Sequence, residues 1–423
     1  MRDFLPADKA RREHVLSVIR RTFREHGFDE IETPVVEDSD RLHAGLGGDN
    51  EKLAFAVMKR SLEKDDLQRA ADSGDYLELA DLGLRFDLTV PLARFYASHR
   101  AELPKVFRSI QIAPVWRAER PQKGRFRQFV QCDIDIIGEA GSLAEVELIT
   151  ATAAALEALG FAGSNACTIR INDRRILRRI VAALGIDDGS YERALITIDK
   201  EDKIGVPGVV AELLELGLGD AATMTPVLES LTTLVDDGWG LLESGNQAPD
   251  WLDADAYRDL LAIRAAVGGG VRLVFSPNLV RGMGYYTGAI FEIAHPDLSY
   301  SLGGGGRYDG MIGRFLGTDV PATGISLGFE RLVDLVRLPE DAAGDAVVLI
   351  YDPEVEPARL AALKAEVIAT GARTTLAERP RNPKTLIDQL AASGWTRFAF
   401  VTGATMTLAD LELKEISATD GAQ

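Results

Sequence analysis

The stretch Val106–Gly138, VFRSIQIAPVWRAERPQKGRFRQFVQCDIDIIG, decides how the rest of the chain is read. Val106–Trp116 reads as a strand. Phe129–Ile137 reads as a second, with Val130, Cys132, Ile134 and Ile136 alternating with Gln131, Asp133 and Asp135. A period of two puts the three polar side chains on one face and the aliphatic ones on the other. Between the strands, Arg117–Gln128 holds Arg117, Arg120, Lys123, Arg125 and Arg127 against a single acid, Glu119. The segment therefore predicts a hairpin with a cationic loop and a carboxylate-bearing floor. Such a loop suits a polyanion, because guanidinium groups bind phosphate in two-pronged fashion. The floor suits something cationic or rich in donors, such as an amino acid. An exposed hairpin with a solvated tip is the alternative, and two aspartates on a face that should be covered weigh against it.

Upstream, residues 7–26 predict an amphipathic helix with a basic outer face, ending at Gly27 before the extended run FDEIETPVV. Gly45–Gly83 reads as polar and irregular around the apolar patch Leu53–Met58. In LRFDLTVPLAR (Leu84–Arg94), Asp87 and Thr89 are expected on one face of a strand end, with Pro91 opening a helix. They suit an ammonium group; capping of that helix is the equal alternative.

Downstream, Leu143–Leu159 predicts an Ala-rich helix and Ala166–Asn172 a short strand. From about residue 173 to 270 the pattern is helical with acidic loops, which predicts an inserted module. In NLVRGMGYYTGAIFE (Asn278–Glu292), Arg281 precedes a glycine-bracketed bend and Tyr285, Tyr286 and Thr287 enter a strand. A cation there reads as a clamp for a substrate carboxylate or phosphate, or else as a structural arginine packed on aromatics. SLGGGGRYDG (Ser301–Gly310) reads as a glycine-rich turn with Tyr308 at its exit. It matches neither GxGxxG after a strand nor a Walker A loop, which disfavours both nucleotide folds. In PATGISLGFERL (Pro321–Leu332) Arg331 falls in a first helical turn, where the helix dipole opposes it and a phosphate would satisfy it. After the linker LPEDAAG (Leu338–Gly344), residues 345–423 predict a small βαβαβ domain. Its acidic residues outnumber its basic ones, and its one basic cluster is Arg379, Arg381 and Lys384.

A chain of 423 residues with 46% hydrophobic content allows two or three domains. The formal charge of -18 argues against a general nucleic-acid coat but leaves room for a local basic groove. Two cysteines, Cys132 and Cys167, and five scattered histidines argue against a disulfide framework and a zinc site. With no leader or long apolar run, a cytoplasmic location and no membrane partner are expected.

Taken together, these segments resemble the histidyl-tRNA synthetase family of class II aminoacyl-tRNA synthetases over nearly the whole chain. RDFLP (Arg2–Pro6) looks like the family's opening motif and GFDEIETPVVE (Gly27–Glu37) like class II motif 1. LRFDLTVPLAR resembles the archaeal and eukaryotic-type variant. WRAERPQKGRFRQFVQCDIDIIG looks like motif 2, LVRGMGYYTG and GGGRYDG like the two histidine signatures, and PATGISLGFERL like motif 3. The resemblance implies an α+β fold: a class II antiparallel sheet with flanking helices over residues 1–338, a helical insertion at 173–270, and an anticodon-binding-like α/β domain at 345–423. It implies a homodimer that activates histidine with ATP and Mg2+ and transfers it to the end of histidine tRNA.

By motif position, Arg117 and Arg281 would be the catalytic cations at the α-phosphate and carboxylate. Glu119 and Phe129 would grip adenine, and Arg125 and Arg331 the distal phosphates. Asp87, Thr89 and Gln131 would bind the α-amino group; Asp135, Tyr285, Tyr286 and Tyr308 would form the rest of the histidine pocket. Arg120 and Gln122 would meet the tRNA acceptor end, and no protein metal ligands are expected. Gly284 stands where many members carry Asp, and the C-terminal VTGATMTLADLELKEI departs from the family's usual acidic signature. The rival readings are a non-catalytic paralogue, such as the regulatory subunit of ATP phosphoribosyltransferase, and a tRNA-independent amino-acid-activating enzyme.

Overall fold

The computed structural model describes residues 1–43, 54–119, 126–234, 236–242, 248–281, 284–337 and 345–416. Arg120, Gln122, Lys123 and Arg125, the linker 338–344 and the tail 417–423 lie outside them. Eight described strands form the main sheet: β1 (Asp29–Glu30), β2 (Phe107–Trp116), β3 (Gln128–Ile137), β4 (Thr168–Asp173), β5 (Leu273–Phe275), β6 (Ala289–Ala294), β7 (Gly303–Arg307) and β8 (Ala322–Gly328). Their spatial order is β1-β2-β3-β8-β7-β6-β4-β5. The six central strands pair antiparallel, as the alternation in β3 predicts. At the edges β1 joins β2 and β5 joins β4 in parallel, so the sheet is mixed.

Register places the site. One row across the sheet runs Gln111, Asp133, Ser326, Gly304, Glu292, Arg170. Two residues along, and so on the same face, runs Ser109, Asp135, Gly324, Gly306, Ile290, Asn172. The opposite face carries Cys132, Ile134, Ile325 and Leu327, all buried, with the helix Leu143–Ala158 packed against β3 and β8. On that side Glu145 of the helix takes Arg307 of β7 in a two-pronged pair at 2.7 and 2.8 Å. The sheet is thus covered below by a helix and polar above.

Three sequence expectations change. Gly303–Arg307 is a strand interior, not a turn. A Cβ on Gly304 would stand 2.5 Å from the Phe291 carbonyl and 2.7 Å from the Arg281 guanidinium carbon. The glycines are therefore required by close approach rather than by chain reversal. Asp87 and Thr89 are not on a strand: the strand ends at Leu84, and the helix Thr89–His99 begins before Pro91. The segment read as irregular supplies two strands, Phe55–Met58 and Ala80–Leu84, of a three-stranded sheet completed by Val36–Asp38, and the helix Lys64–Ser73. The sheet's strands are three, four and five residues long, too short for a period to stand out in the sequence.

The segment between β4 and β5 is helical, from Arg174–Ala183 through Ala254–Val267. A second sheet orders β10-β9-β11-β12, with β9 (Ala346–Tyr351), β10 (Arg373–Glu378), β11 (Arg397–Val401) and β12 (Lys414–Glu415). The first three pair in parallel and β12 adds antiparallel. Helices Pro357–Ala369 and Pro383–Ala392 cover it: Val347 and Leu349 pack with Leu363 and Val367, and Val348 and Ile350 with Leu386 and Leu390. Burial on both faces explains why β9 is apolar throughout. The chain divides into two units, residues 17–336 with Met1, and residues 2–16 with 337–423. Among the described residues no helix is long and apolar enough to cross a membrane.

Candidate active site

Above the polar face of β3, β7 and β8 lies a cavity of about 530 Å³. Its floor holds Asp87, Gln131, Asp133 and Asp135, each no more than 9% exposed. Asp87 caps the helix with one oxygen and keeps the other toward the cavity. Its Oδ1 accepts from the Val90 N–H at 3.2 Å, as a helix cap does, while its buried Oδ2 has no partner. Burial lifts the Asp87 carboxyl to about 6, against the opposing pull of the Val90 N–H and the Arg117 charge. Gln131 likewise leaves its buried Oε1 without a partner.

Asp135 accepts from the Tyr308 hydroxyl at 2.6 Å. Its carboxyl rises to about 7, chiefly through burial, with the Tyr308 bond pulling the other way and Asp87 adding to the rise. Burial and the neighbouring Asp135 also push Asp133 well up. Tyr285, Tyr286 and Tyr308 close the same end: the Tyr285 and Tyr286 rings meet edge-on at 4.9 Å, and Thr89 hydrogen-bonds the Tyr285 phenol. The sequence-predicted pocket residues Asp87, Thr89, Gln131, Asp135, Tyr285, Tyr286 and Tyr308 are all in its lining.

The other wall is cationic. Arg117 donates through Nε to the Phe86 carbonyl at 3.0 Å, and its guanidinium sits 5.0 Å from the Phe129 ring centre. Arg281 donates to Glu292 at 3.2 Å, over the space that Gly304 leaves open. The loop leading to Arg281 is held by buried Asn172, whose amide donates to the Pro277 and Leu279 carbonyls at 2.9 and 3.1 Å. Arg331 lines the cavity too, donating to the Ser301 carbonyl and lying 4.9 Å from the Tyr300 ring. Those contacts supply part of what its position in the first helical turn calls for. Glu119 and Phe129 are in the lining. Arg120, Gln122 and Arg125 lie outside the described residues.

Asp133, which the sequence places on the carboxylate floor without a binding role, lines the cavity, as do Ser326, Glu292, Glu330 and Asp199, which sequence reasoning leaves out. The first four had a signal: each lies on a strand face, or at the strand–helix junction, of a segment already singled out. Glu292 supplies a carboxylate beside Arg281 despite Gly284 in the bend. Asp199 had none, because it reaches the cavity from the inserted helices, whose own periodicity says only that they pack. Among the described residues no cluster of three or more His, Cys, Asp or Glu is arranged to hold a metal.

Carboxylates at one end and arginines at the other fit a zwitterion whose ammonium lies over the floor and whose carboxylate faces the arginines, with room for a further anion beside them.

A family profile described as histidyl-tRNA synthetase matches residues 1–332. A histidine–tRNA ligase from Leifsonia xyli subsp. xyli is 61% identical over 425 residues, spanning 99% of this chain and 97% of its own. A probable histidine–tRNA ligase from Tropheryma whipplei is 42% identical over 402 residues, 90% of each. Among solved structures, a histidyl-tRNA synthetase from Nostoc sp. PCC 7120 superposes with TM-score 0.75 at 24% identity, covering 99% of this chain and 95% of the other. An ATP phosphoribosyltransferase regulatory subunit/histidyl-tRNA synthetase from Bacillus halodurans superposes at 0.72 and 20% identity, covering 96% and 97%. The two superpositions speak to fold alone.

Proposed function

The chain belongs to the histidyl-tRNA synthetase family, and from that premise we propose how its cavity carries out the family's reaction. The reaction is that of a histidine–tRNA ligase: ATP-dependent activation of histidine, then transfer to histidine tRNA. One observation carries the assignment of the site. Asp87 Oδ2 and Gln131 Oε1 are buried acceptors without partners, and an ammonium group is the ligand that satisfies both. With the ammonium there, the imidazole extends to Asp135, Tyr286 and Tyr308, and the carboxylate faces Arg281 and Arg117.

In the first step a carboxylate oxygen attacks the α-phosphorus of ATP and pyrophosphate leaves. The nucleophile is already an anion, so no strong base is needed. Arg117 and Arg281 stabilise charge that grows on the phosphoryl and carboxylate oxygens, and the floor residues hold the attacking group in line. Phe129 and Glu119 receive the adenine, with Arg125 and Arg331 on the distal phosphates. Glu330 in the cavity wall would supply the carboxylate share of a nucleotide-bound Mg2+, whose chemistry there would be to neutralise phosphate charge. In the second step the terminal ribose of the tRNA takes the acyl group and AMP leaves; Arg120 and Gln122 meet that acceptor end. The small domain built on β9–β11 reads the anticodon, and the protein works as a cytoplasmic homodimer.

Histidine-dependent exchange of pyrophosphate into ATP, followed by charging of histidine tRNA, tests this reading. The expected result is both activities. Exchange without charging would support a tRNA-independent enzyme, and absence of exchange a non-catalytic paralogue. The ligase relative at 61% identity weighs against the latter.

A further inference from the structure

The amide of Gln131 has two ends of opposite hydrogen-bonding character, and only its carbonyl can bind an ammonium group. What keeps that end toward the cavity is Asp133. Gln131 Nε2 donates to both Asp133 oxygens, at 3.4 and 3.2 Å, and to the Ser326 hydroxyl at 3.2 Å. The Ser326 hydroxyl in turn bonds Asp133. The triangle spans adjacent strands at one register, since Ser326 lies directly opposite Asp133. Asp133 and Gln131 are buried, 5% and 9% exposed, and Ser326 is half-buried. Against the effect of burial, the Ser326 and Gln131 donors favour the ionised form of Asp133; that form accepts and does not donate, so it selects the amide's NH2 end. The flipped amide would set its carbonyl against the carboxylate and offer a donor to the cavity.

We propose that Asp133 is a positioning residue for amino-acid binding: through Gln131 and Ser326 it fixes the one amide orientation that accepts the substrate's α-ammonium group. This rests on the reading of the cavity as the histidine site. It adds a residue that need not touch the ligand. Asp133 also differs from Asp87 and Asp135 in its partners: Asp87 keeps an unpartnered oxygen, and Asp135 answers to Tyr308.

The test compares Asp133→Ala, Asp133→Asn and Ser326→Ala with wild type, using inhibition of exchange by two probes. Histidinol keeps ammonium and imidazole; imidazole-propionate keeps imidazole and carboxylate but has no ammonium. Asp133→Ala should raise the histidine KM and the histidinol inhibition constant about 10- to 100-fold, and shift imidazole-propionate less than about threefold. Asp133→Asn, which still offers an acceptor to the Gln131 NH2, should recover most of that loss. Ser326→Ala should show the same selective pattern at smaller size. Equal weakening of both probes in Asp133→Ala would reduce Asp133 to a structural role, and no change in either would remove it from binding. If Asp133→Ala does not fold, the selective pattern must appear in Ser326→Ala or the proposal falls. A wild-type protein without histidine-dependent exchange would overturn the reading of the cavity instead, which keeps the two failures apart.

Discussion

Arg281 is 23% exposed and pairs with Glu292, which also lies 3.8 Å from Arg170. Removing Arg281 therefore leaves Glu292 near a second cation, and the fold should survive. Arg281→Ala is expected to cut histidine-dependent exchange by about 100-fold or more, an interaction worth roughly 3 kcal/mol in the transition state; exchange kinetics beside a circular-dichroism melt would check both halves. Asp135 makes a different prediction. Its carboxyl sits at about 7 and that of Asp87 at about 6 in the empty cavity. An ammonium group and an imidazole N–H both favour the ionised carboxylates, so binding releases protons and must weaken as pH falls through 7 toward 6. The stability of the empty protein runs the other way. Because these folded-state values lie above the ordinary carboxylate range of about 4, the empty protein holds protons that the unfolded chain has lost, so stability falls as pH rises from about 4 to about 7, and bound histidine restores it. The rise in Tm on adding histidine should therefore be larger at pH 8 than at pH 6. Free histidine's own imidazole titrates near 6.5 for any variant, so Asp135→Asn is the control: its pH dependence should be shallower. The same variant should discriminate less well for histidine, because a buried N–H on the ligand loses its charged acceptor. Unchanged histidine activation in Asp135→Asn would leave Asp135 a structural polar residue.

The elements teach where periodicity is informative. β3 is legible because one face is aliphatic and covered while the other is polar and lines a cavity, so burial enforces the period. β9 is legible for the opposite reason, being covered on both faces. β7 is not: Gly303–Gly306 has no side chains to show a period, and four glycines read as a turn until Arg281 and Tyr286 are seen occupying the space above them. Asp87 and Thr89 were placed with the right partners but on the wrong element, since a loop entering a helix can mimic strand alternation over three residues. Asp199 could not be found at all, because its place in the cavity depends on how the inserted helices pack. Gly324 shows what the glycines do for the site. It lies opposite Asp135 on β8, and a Cβ there would meet Asp135 Oδ1 at 1.8 Å. Gly324→Ala must turn the Asp135 carboxylate away and break its bond to Tyr308. The expected effect is a rise of about 10-fold or more in the histidine KM, with the ATP KM nearly unchanged, measured by exchange at varied concentrations of each. A matching rise for ATP would mean that the strand itself, rather than Asp135, had moved.

Taken whole, the molecule carries a formal charge of -18, yet its substrates are a nucleotide and an RNA. Cations must therefore act locally, since beyond about 10 Å at ordinary ionic strength the bulk negative charge is screened. The cavity wall has the cations Arg117, Arg281 and Arg331, which on the proposed reading meet the nucleotide. In the small α/β domain the basic side chains of Arg379, Arg381 and Lys384 cluster near the end of β10 and the start of the helix Pro383–Ala392. Arg379 has structural work, lying 3.2 Å from Asp352 and 4.4 Å from the Phe400 ring centre. Arg381 and Lys384 are exposed, and they are the pair to change if this domain holds the RNA. Reversing both to Glu in the full-length chain should leave histidine-dependent exchange at wild-type rate, because every group in the cavity lies elsewhere. Charging of tRNA should fall about 10-fold at moderate salt. The salt dependence separates a lost phosphate contact from a damaged domain: each lost cation should lower the slope of log affinity against log salt by about 1. A variant that charges tRNA as wild type does, with an unchanged slope, would place the second RNA contact away from this cluster.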